Sequence, residues 1–272
     1  MKLLISADME GISGVVSSDH TTSNHKEYER FRKLMTAEVN AAIEGALAAA
    51  ADHIIVNDSH GSMTNILIEE LNPTTELISG SPKPFGMMQG IGPEVDAVFF
   101  VGYHASSGTG AAVLEHTWSS STVFSVQLND QAVGETGLNA ALAGAFGVPV
   151  VLVTGDQAVV EEARALLGDI ETVTVKESIT RVAARCLHPQ VARRQIREAA
   201  QRAVRLKISP FVLPPPITVR IVFQRALYAD LAALAPGSLR MDGHTVEWTG
   251  DDMPAVYSAF QAMVKLAGSA RS

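Results

Sequence analysis

"VPVVLVTG", residues 148–155, is a continuous apolar run. A strand of that kind is covered on both faces, as in a parallel sheet flanked by helices. Working outward, a helix is expected at about 135–146 before it and another at about 157–167 after it. Upstream, strands are read at 2–8, 53–57, 76–80 and 96–104, with a helix at 26–50 and a short one at 64–71 that stops before Pro73. In the long helix Tyr28, Phe31, Met35, Val39, Ile43 and Leu47 recur at helical spacing. "STVFSVQLND", 121–130, alternates and turns at Asn129-Asp130, a hairpin pattern. A strand at 171–176 and a basic helix at 189–206 lead to the proline cluster "LPPPI" at 213–217, the best linker candidate. Beyond it come a strand (217–223), a helix (225–234), a β stretch with His244 and Trp248, and a helix at 251–267. Strands alternating with helices imply an α/β fold. The expectation is a three-layer sandwich with a largely parallel or mixed sheet over residues 1–212, and a smaller α+β C-terminal domain over 217–272.

Composition bounds the function. The 272 residues are 47% hydrophobic and 18% charged, enough to bury a sizeable core. A formal net charge of −8 argues against nucleic acid, whose binding needs a basic face. The lone Cys186 leaves no intrachain disulfide and points to a reducing compartment. The uncharged run 136–155 is long enough to span a bilayer, but Asn139, Gly144, Gly147 and Pro149 make it a buried helix, a turn and a buried strand. Lys2 is followed by few apolar residues before Asp8, unlike a signal peptide. A cytoplasmic protein with no membrane partner is expected.

The chemistry sits at strand ends. The strand at 2–8 runs into "SADMEGISG", where a nucleotide-binding protein would carry a glycine-rich turn and this chain carries Asp8 and Glu10. The next strand ends in "VNDSH", with Asp58 and His60, and a third in "VGYH", with His104. In α/β sheets, ligand sites lie outside the carboxyl ends of the strands. Separate stretches thus deliver carboxylates and imidazoles to one edge. Asp8 and Glu10, two apart in an extended chain, point the same way and can grip one cation or bridge a pair. Bare, they would repel and raise each other's pKa. Carboxylates plus imidazoles suit zinc, and equally manganese or iron(II).

Other residues read two ways. Glu135 in "VGETGLNA" opens a helix and, alone, reads as an acid complementing the helix dipole. His116 in "VLEHTW" lies in a Gly-, Ser- and Thr-rich stretch suited to an active-site loop or to simple solvation. Asp58 is read as supporting His60 through its side chain rather than binding metal. The Arg-rich stretch 181–205 is a solvated helix face or a subunit contact. Gly11-x-x-Gly14 lacks the Gly-Lys-Ser/Thr of a phosphate loop.

"DMEGISG", "VNDSHGSM", "LISGSPKPFGMMQG", "VGYHA", "EHT", "VGETGLNA" and "VKESITRVAARCLHP" together resemble the zinc-dependent D-aminopeptidase family, in order through residues 1–190 and more weakly beyond. The resemblance implies a di-zinc aminopeptidase acting on short peptides with an N-terminal D-residue. It implies Asp8, Glu10, His60, His104 and Glu135 as ligands for two zinc ions, with Asp8 bridging, and His116 as the catalytic residue. It also implies a homo-oligomer, a decameric ring with enclosed active sites. The residues flanking His116, "LEHTW", depart from the family pattern. Two rival classes stand beside this reading. One is another metal-dependent hydrolase, an amidase or phosphoesterase, for which Lys83 and Lys176 are the cations nearest the motifs. The other is a non-catalytic peptide- or metal-binding accessory protein.

Overall fold

The computed structural model describes residues 1–271. In chain order the elements are β1 (Lys2–Ala7), α1 (Ser18–Thr21), α2 (Tyr28–Ala48), β2 (His53–Asp58), β3 (Thr75–Ile78), β4 (Ala97–Tyr103), β5 (Val123–Leu128), β6 (Gln131–Val133) and α3 (Glu135–Ala145). They continue with β7 (Val150–Asp156), α4 (Gln157–Leu167), β8 (Glu171–Thr180), β9 (Ala183–Cys186), α5 (Pro189–Ala203), β10 (Ile217–Phe223), α6 (Ala226–Ala232), β11 (Leu239–Arg240), β12 (Thr245–Gly250) and α7 (Met253–Gly268).

A seven-stranded sheet runs β3-β2-β1-β4-β7-β8-β9. All neighbours are parallel except β9, which returns antiparallel to β8. The seven β7 residues are all buried, as an unalternating strand in such a sheet requires. One face carries α2 and α5, with Phe31, Met35, Val39 and Ile43 packed with Ile196 and Ala199 over Leu3, Ile5, Phe99 and Val101. The other face carries α3, α4 and α7, with Leu138, Leu142, Val159, Tyr257 and Phe260 over Leu4, Val98 and Phe100. Among the described residues, no helix is long and apolar enough to cross a membrane.

The segment after the proline cluster is joined to what precedes it. Its strands enter a second sheet, β11-β12-β10-β5-β6, in which β10 pairs with the hairpin strand β5 (Val219 opposite Leu128, Ile221 opposite Val126). Its last helix places Tyr257 and Phe260 in the same core as Phe100 and Tyr103. The seam is polar as well as apolar: Tyr257 donates to Asn139 Oδ1 at 2.7 Å, Asn139 Nδ2 to the Tyr103 hydroxyl at 2.9 Å, and that hydroxyl lies 2.7 Å from Ser6 Oγ. Four elements are thus tied together directly beneath the carboxyl end of β1.

The helix expected at 64–71 does not form. The Asp58 carboxylate takes the amides of Asn65 (2.5 Å) and Ile66 (2.7 Å), and Thr36 Oγ1 takes that of Leu67 (3.1 Å). Side chains from β2 and α2 thereby capture N–H groups that a helix would use, and only turns remain over 67–71.

Candidate metal centre

Parallel register explains why the candidate residues meet. Ala7 lies opposite Asp58 on one side and Val101 on the other, so the chain leaves β1, β2 and β4 at the same sheet edge. The loop after β1 then leans against the end of β4. Gly11 N donates to Gly102 O at 2.8 Å, and a Cβ on Gly11 would stand 2.0 Å from Tyr103 O. Gly102 itself has φ +74° and passes so close to Asp8 O that a Cβ there would lie at 2.3 Å. Backbone-to-backbone contact of this kind holds Asp8 and Glu10 over the neighbouring strand.

The same loop is gripped from below by two buried ionisable groups. Lys176 on β8 is 1% exposed and donates to the carbonyls of Glu10, Ile12 (3.0 Å) and Val15 (2.6 Å). Glu38 on α2 accepts Ser13 N at 2.9 Å through Oε1, while its buried Oε2 has no hydrogen-bond partner. Burial outweighs the hydrogen bond and Lys176, and pushes Glu38 from 4.5 up to about 7. A raised carboxyl contributes stability below its unfolded pKa and loses it as pH rises through its folded one. Glu38→Gln keeps the acceptor but brings a buried amide N–H₂ of its own, a pH-independent cost. The difference between two pH values isolates the charge. The change in unfolding free energy on Glu38→Gln should be more favourable at pH 8 than at pH 5 by about 2 kcal/mol, read from urea unfolding. Equal effects at both pH values would mean that Glu38 is ionised throughout.

Above this floor the six candidate side chains converge. His60 Nδ1 lies 3.2 Å from Asp8 Oδ1 and 2.9 Å from Glu10 Oε2. His104 Nε2 lies 3.4 Å from Asp8 Oδ2 and 3.4 Å from Glu135 Oε1, and His116 Nε2 lies 3.7 Å from that Glu135 oxygen. The rings of His104 and His116 stack at 4.0 Å between centroids, 11° from parallel. Glu135 sits in the first turn of α3 but points into the cluster and accepts Trp118 N at 2.6 Å, so it is more than an acid at a helix start.

Each imidazole gives its other nitrogen to a main-chain carbonyl: His60 Nε2 to Thr21 (3.0 Å), His104 Nδ1 to Ala105 (3.0 Å), His116 Nδ1 to Leu114 (2.9 Å). Carbonyls only accept, so those nitrogens carry the protons. In the neutral rings the opposite lone pairs face the carboxylates. That is how metal-binding histidines are oriented.

The cluster is costly without a cation. Burial and the Glu10 charge push Asp8 up to about 7. Burial also opposes charge on Glu10, but His60 outweighs it and holds Glu10 well below the usual carboxylate range. His60 and His104 are raised well above theirs, because the carboxylates overcome their burial. His116 differs: burial and the neighbouring His104 lower it, leaving a neutral ring. Among the described residues Asp8 Oδ2, Glu10 Oε2 and His104 Nε2 are buried without a hydrogen bond, although His60 Nδ1 stands 2.9 Å from Glu10 Oε2. Unpaired buried donors and acceptors of this chemistry fit a divalent ion. Two sets of ligand atoms lie within 4.8 Å of one another: Asp8, Glu10 and His104, and His104, His116 and Glu135. Geometry alone therefore counts His116 Nε2 among the candidate donors.

Asp8, His60, His116 and Glu135 of the cluster line a pocket of about 270 Å³ together with Lys83, Met87, Trp118 and Lys265. Residues 1–262 match the family described as D-aminopeptidase. The chain belongs to that family. It is 38% identical over 273 residues to a D-aminopeptidase of Bacillus subtilis (strain 168), covering 98% of each protein. It also superimposes with a TM-score of 0.95, at 38% identity and 98% coverage of both chains, on the zinc-dependent D-aminopeptidase DppA from Bacillus subtilis, described as a self-compartmentalizing protease. This family member keeps its fold and its strand-end acids and imidazoles together.

Two supporting roles differ from the sequence reading. Asp58 does not hold the His60 ring. Its carboxylate binds the Asn65 backbone and side chain, and Asn65 in turn reaches His60 O at 2.7 Å. The ring is held by Thr21 O, which follows no sequence pattern. Lys176, a cation near the motifs, faces the loop carbonyls and lies outside the pocket lining, whereas Lys83 forms part of it. Glu115 pairs with Arg181 at 3.0 Å rather than with a residue of the cluster.

Proposed function

We propose that this chain is a zinc aminopeptidase that removes an N-terminal D-residue from short peptides. The observation carrying the reading is the cluster of buried acids and imidazoles with unpaired atoms, four of whose residues line a small pocket, in a chain of the D-aminopeptidase family. Asp8, Glu10, His60, His104 and Glu135 would hold two zinc ions, with Asp8 offering one oxygen beside His60 and the other beside His104. Bound zinc supplies a water acidic near neutral pH and a Lewis acid for the scissile carbonyl.

The remaining steps belong to the protein. The rigid loop under Asp8 and Glu10 keeps the carboxylates in place through catalysis. Asp8 and Glu135 in the pocket lining favour the substrate's free α-ammonium, which limits cleavage to the first residue. His116, with Nδ1–H donated to Leu114 O, offers Nε2 to take up a proton and pass it to the leaving amine. The solved relative's description as self-compartmentalizing supports a homo-oligomer, and we extend this to a decameric ring. Exposed Ile179 and Val182, at the β8–β9 turn, are apolar surface suited to a subunit contact.

The test is a panel of D- and L-leading di- and tripeptides plus p-nitrophenyl phosphate, assayed after chelation and after zinc is restored. D-leading peptides should be cleaved, with activity lost on chelation and recovered with zinc. Preferential turnover of the phosphate ester would make the chain a phosphoesterase. Bound metal with no turnover of any substrate would make it an accessory protein.

A further inference from the structure

Lys83 has no role in the chemistry above, yet it stands in the wall of the same pocket as Asp8, His60, His116 and Glu135. It is half-buried. Its Nζ donates to Asn57 Oδ1 and to Asp58 O, both at 2.6 Å. The Asn57 amide cannot present its nitrogen instead, since Nδ2 is already donated to Gly86 O (3.1 Å) and Met87 O (2.7 Å). Two of the three ammonium protons are thereby spent on neutral acceptors, and one is left.

No carboxylate among the described residues forms an ion pair with Lys83. Asp58 is its neighbour in space and its charge favours the ammonium, but the Asp58 carboxylate is hydrogen-bonded to Asn65 N, Asn65 Nδ2 and Ile66 N and forms no ion pair with Lys83. A cation partly removed from water without an ion-pair partner is costly, and burial outweighs the Asp58 charge and lowers Lys83 from 10.5 to about 8. A ligand anion would relieve that cost. Lys265, exposed near the end of α7, borders the pocket too and has no ion pair among the described residues.

The pocket lining therefore combines two acids, Asp8 and Glu135, with a cation held on neutral acceptors and without an ion pair among the described residues. The carbonyl that Lys83 touches belongs to Asp58, two residues before His60, so the cation stands close to the candidate metal ligands. A dipeptide spans only about 7 Å between its ends, at roughly 3.3–3.6 Å per residue. A volume of about 270 Å³ falls just below the roughly 300 to 1,000 Å³ of common ligand sites. We propose that Lys83, with Lys265 at the rim, forms a carboxylate subsite that binds the free C-terminus of a dipeptide and so selects very short peptides. This rests on the aminopeptidase reading.

The experiment compares D-alanyl-D-alanine with its C-terminal amide on zinc-loaded wild type, Lys83→Met and Lys83→Arg. It adds calorimetric binding of the uncleavable dipeptide in which a methyleneamino group replaces the peptide bond. Wild type should favour the acid over the amide by about 10–100-fold in kcat/KM, roughly the 1.4–2.8 kcal/mol of a charge-assisted contact. Lys83→Met should reduce that ratio to within about threefold, chiefly through KM, and weaken binding of the uncleavable dipeptide about tenfold or more. Lys83→Arg should keep most of the ratio. A ratio unchanged in Lys83→Met overturns the subsite. So does an equal fall in kcat for acid and amide, which would mark Lys83 as a positioning residue acting through Asn57 and Asp58. Tight binding of inorganic phosphate that is lost in Lys83→Met, with the dipeptide unaffected, overturns it too. Failure of the parent reading looks different: no peptide is cleaved by wild type, whatever its C-terminus.

Discussion

His116→Ala should lower kcat/KM for a D-leading dipeptide by about 10²–10⁴-fold, the range for loss of a positioned proton-transfer group, while zinc content stays as in wild type. The ring is well placed to act and poorly placed to be replaced. Its Nε2 is 3.7 Å from Glu135 Oε1, its face stacks on His104, and its Nδ1 proton is held by Leu114 O. The ring lies where water in a truncated variant would lack that fixed orientation. Because the same Nε2 falls within one set of candidate ligand atoms, metal analysis is the decisive readout. Loss of zinc together with activity would make His116 a ligand, and the assigned role would be sunk.

Asp8→Asn should abolish measurable peptidase activity, with metal content falling by half or more even under added zinc. No other acid in the cluster faces two imidazoles with its two oxygens: Oδ1 is 3.2 Å from His60 Nδ1 and Oδ2 is 3.4 Å from His104 Nε2. The amide is nearly isosteric, and Oδ1 can go on accepting Met9 N, now at 2.8 Å, so the backbone loop should persist. What is removed is charge and one oxygen donor. Even supporting groups around a metal site typically cost 10–100-fold in metal affinity when lost, and a shared ligand should cost more. Atomic absorption of the dialysed protein, with circular dichroism to check the fold, reads the result. Full zinc occupancy in Asp8→Asn would overturn the bridging role.

Several elements were legible because local patterns and burial agree. β7 reads as a strand from its apolar run alone, and α2 from the spacing of Phe31, Met35, Val39 and Ile43, all of which are buried. The strand-end acids and imidazoles were legible because a parallel sheet collects every carboxyl end at one edge. Other features depend on partners far along the chain. The segment at 64–71 has helical spacing, yet Asp58 and Thr36 capture its amides. Lys176 lies 166 residues from the carbonyl of Glu10 that it grips, and the Thr21 carbonyl that orients His60 is a backbone atom available at any residue.

Periodicity and residue type by themselves therefore determined the α/β alternation, the net negative charge and the candidate list Asp8, Glu10, His60, His104, His116 and Glu135. Family likeness turned that list into a peptidase. Only the tertiary structure decided that the C-terminal strands complete a sheet with β5 and β6. It alone decided that Glu135 turns inward, that Lys176 and Glu38 carry the acidic loop, and that Lys83 stands unpaired in the pocket wall. The reason is physical. Pattern reports which side chains leave water, whereas hydrogen bonds and charge pairing are settled by which distant groups burial brings within about 3 Å.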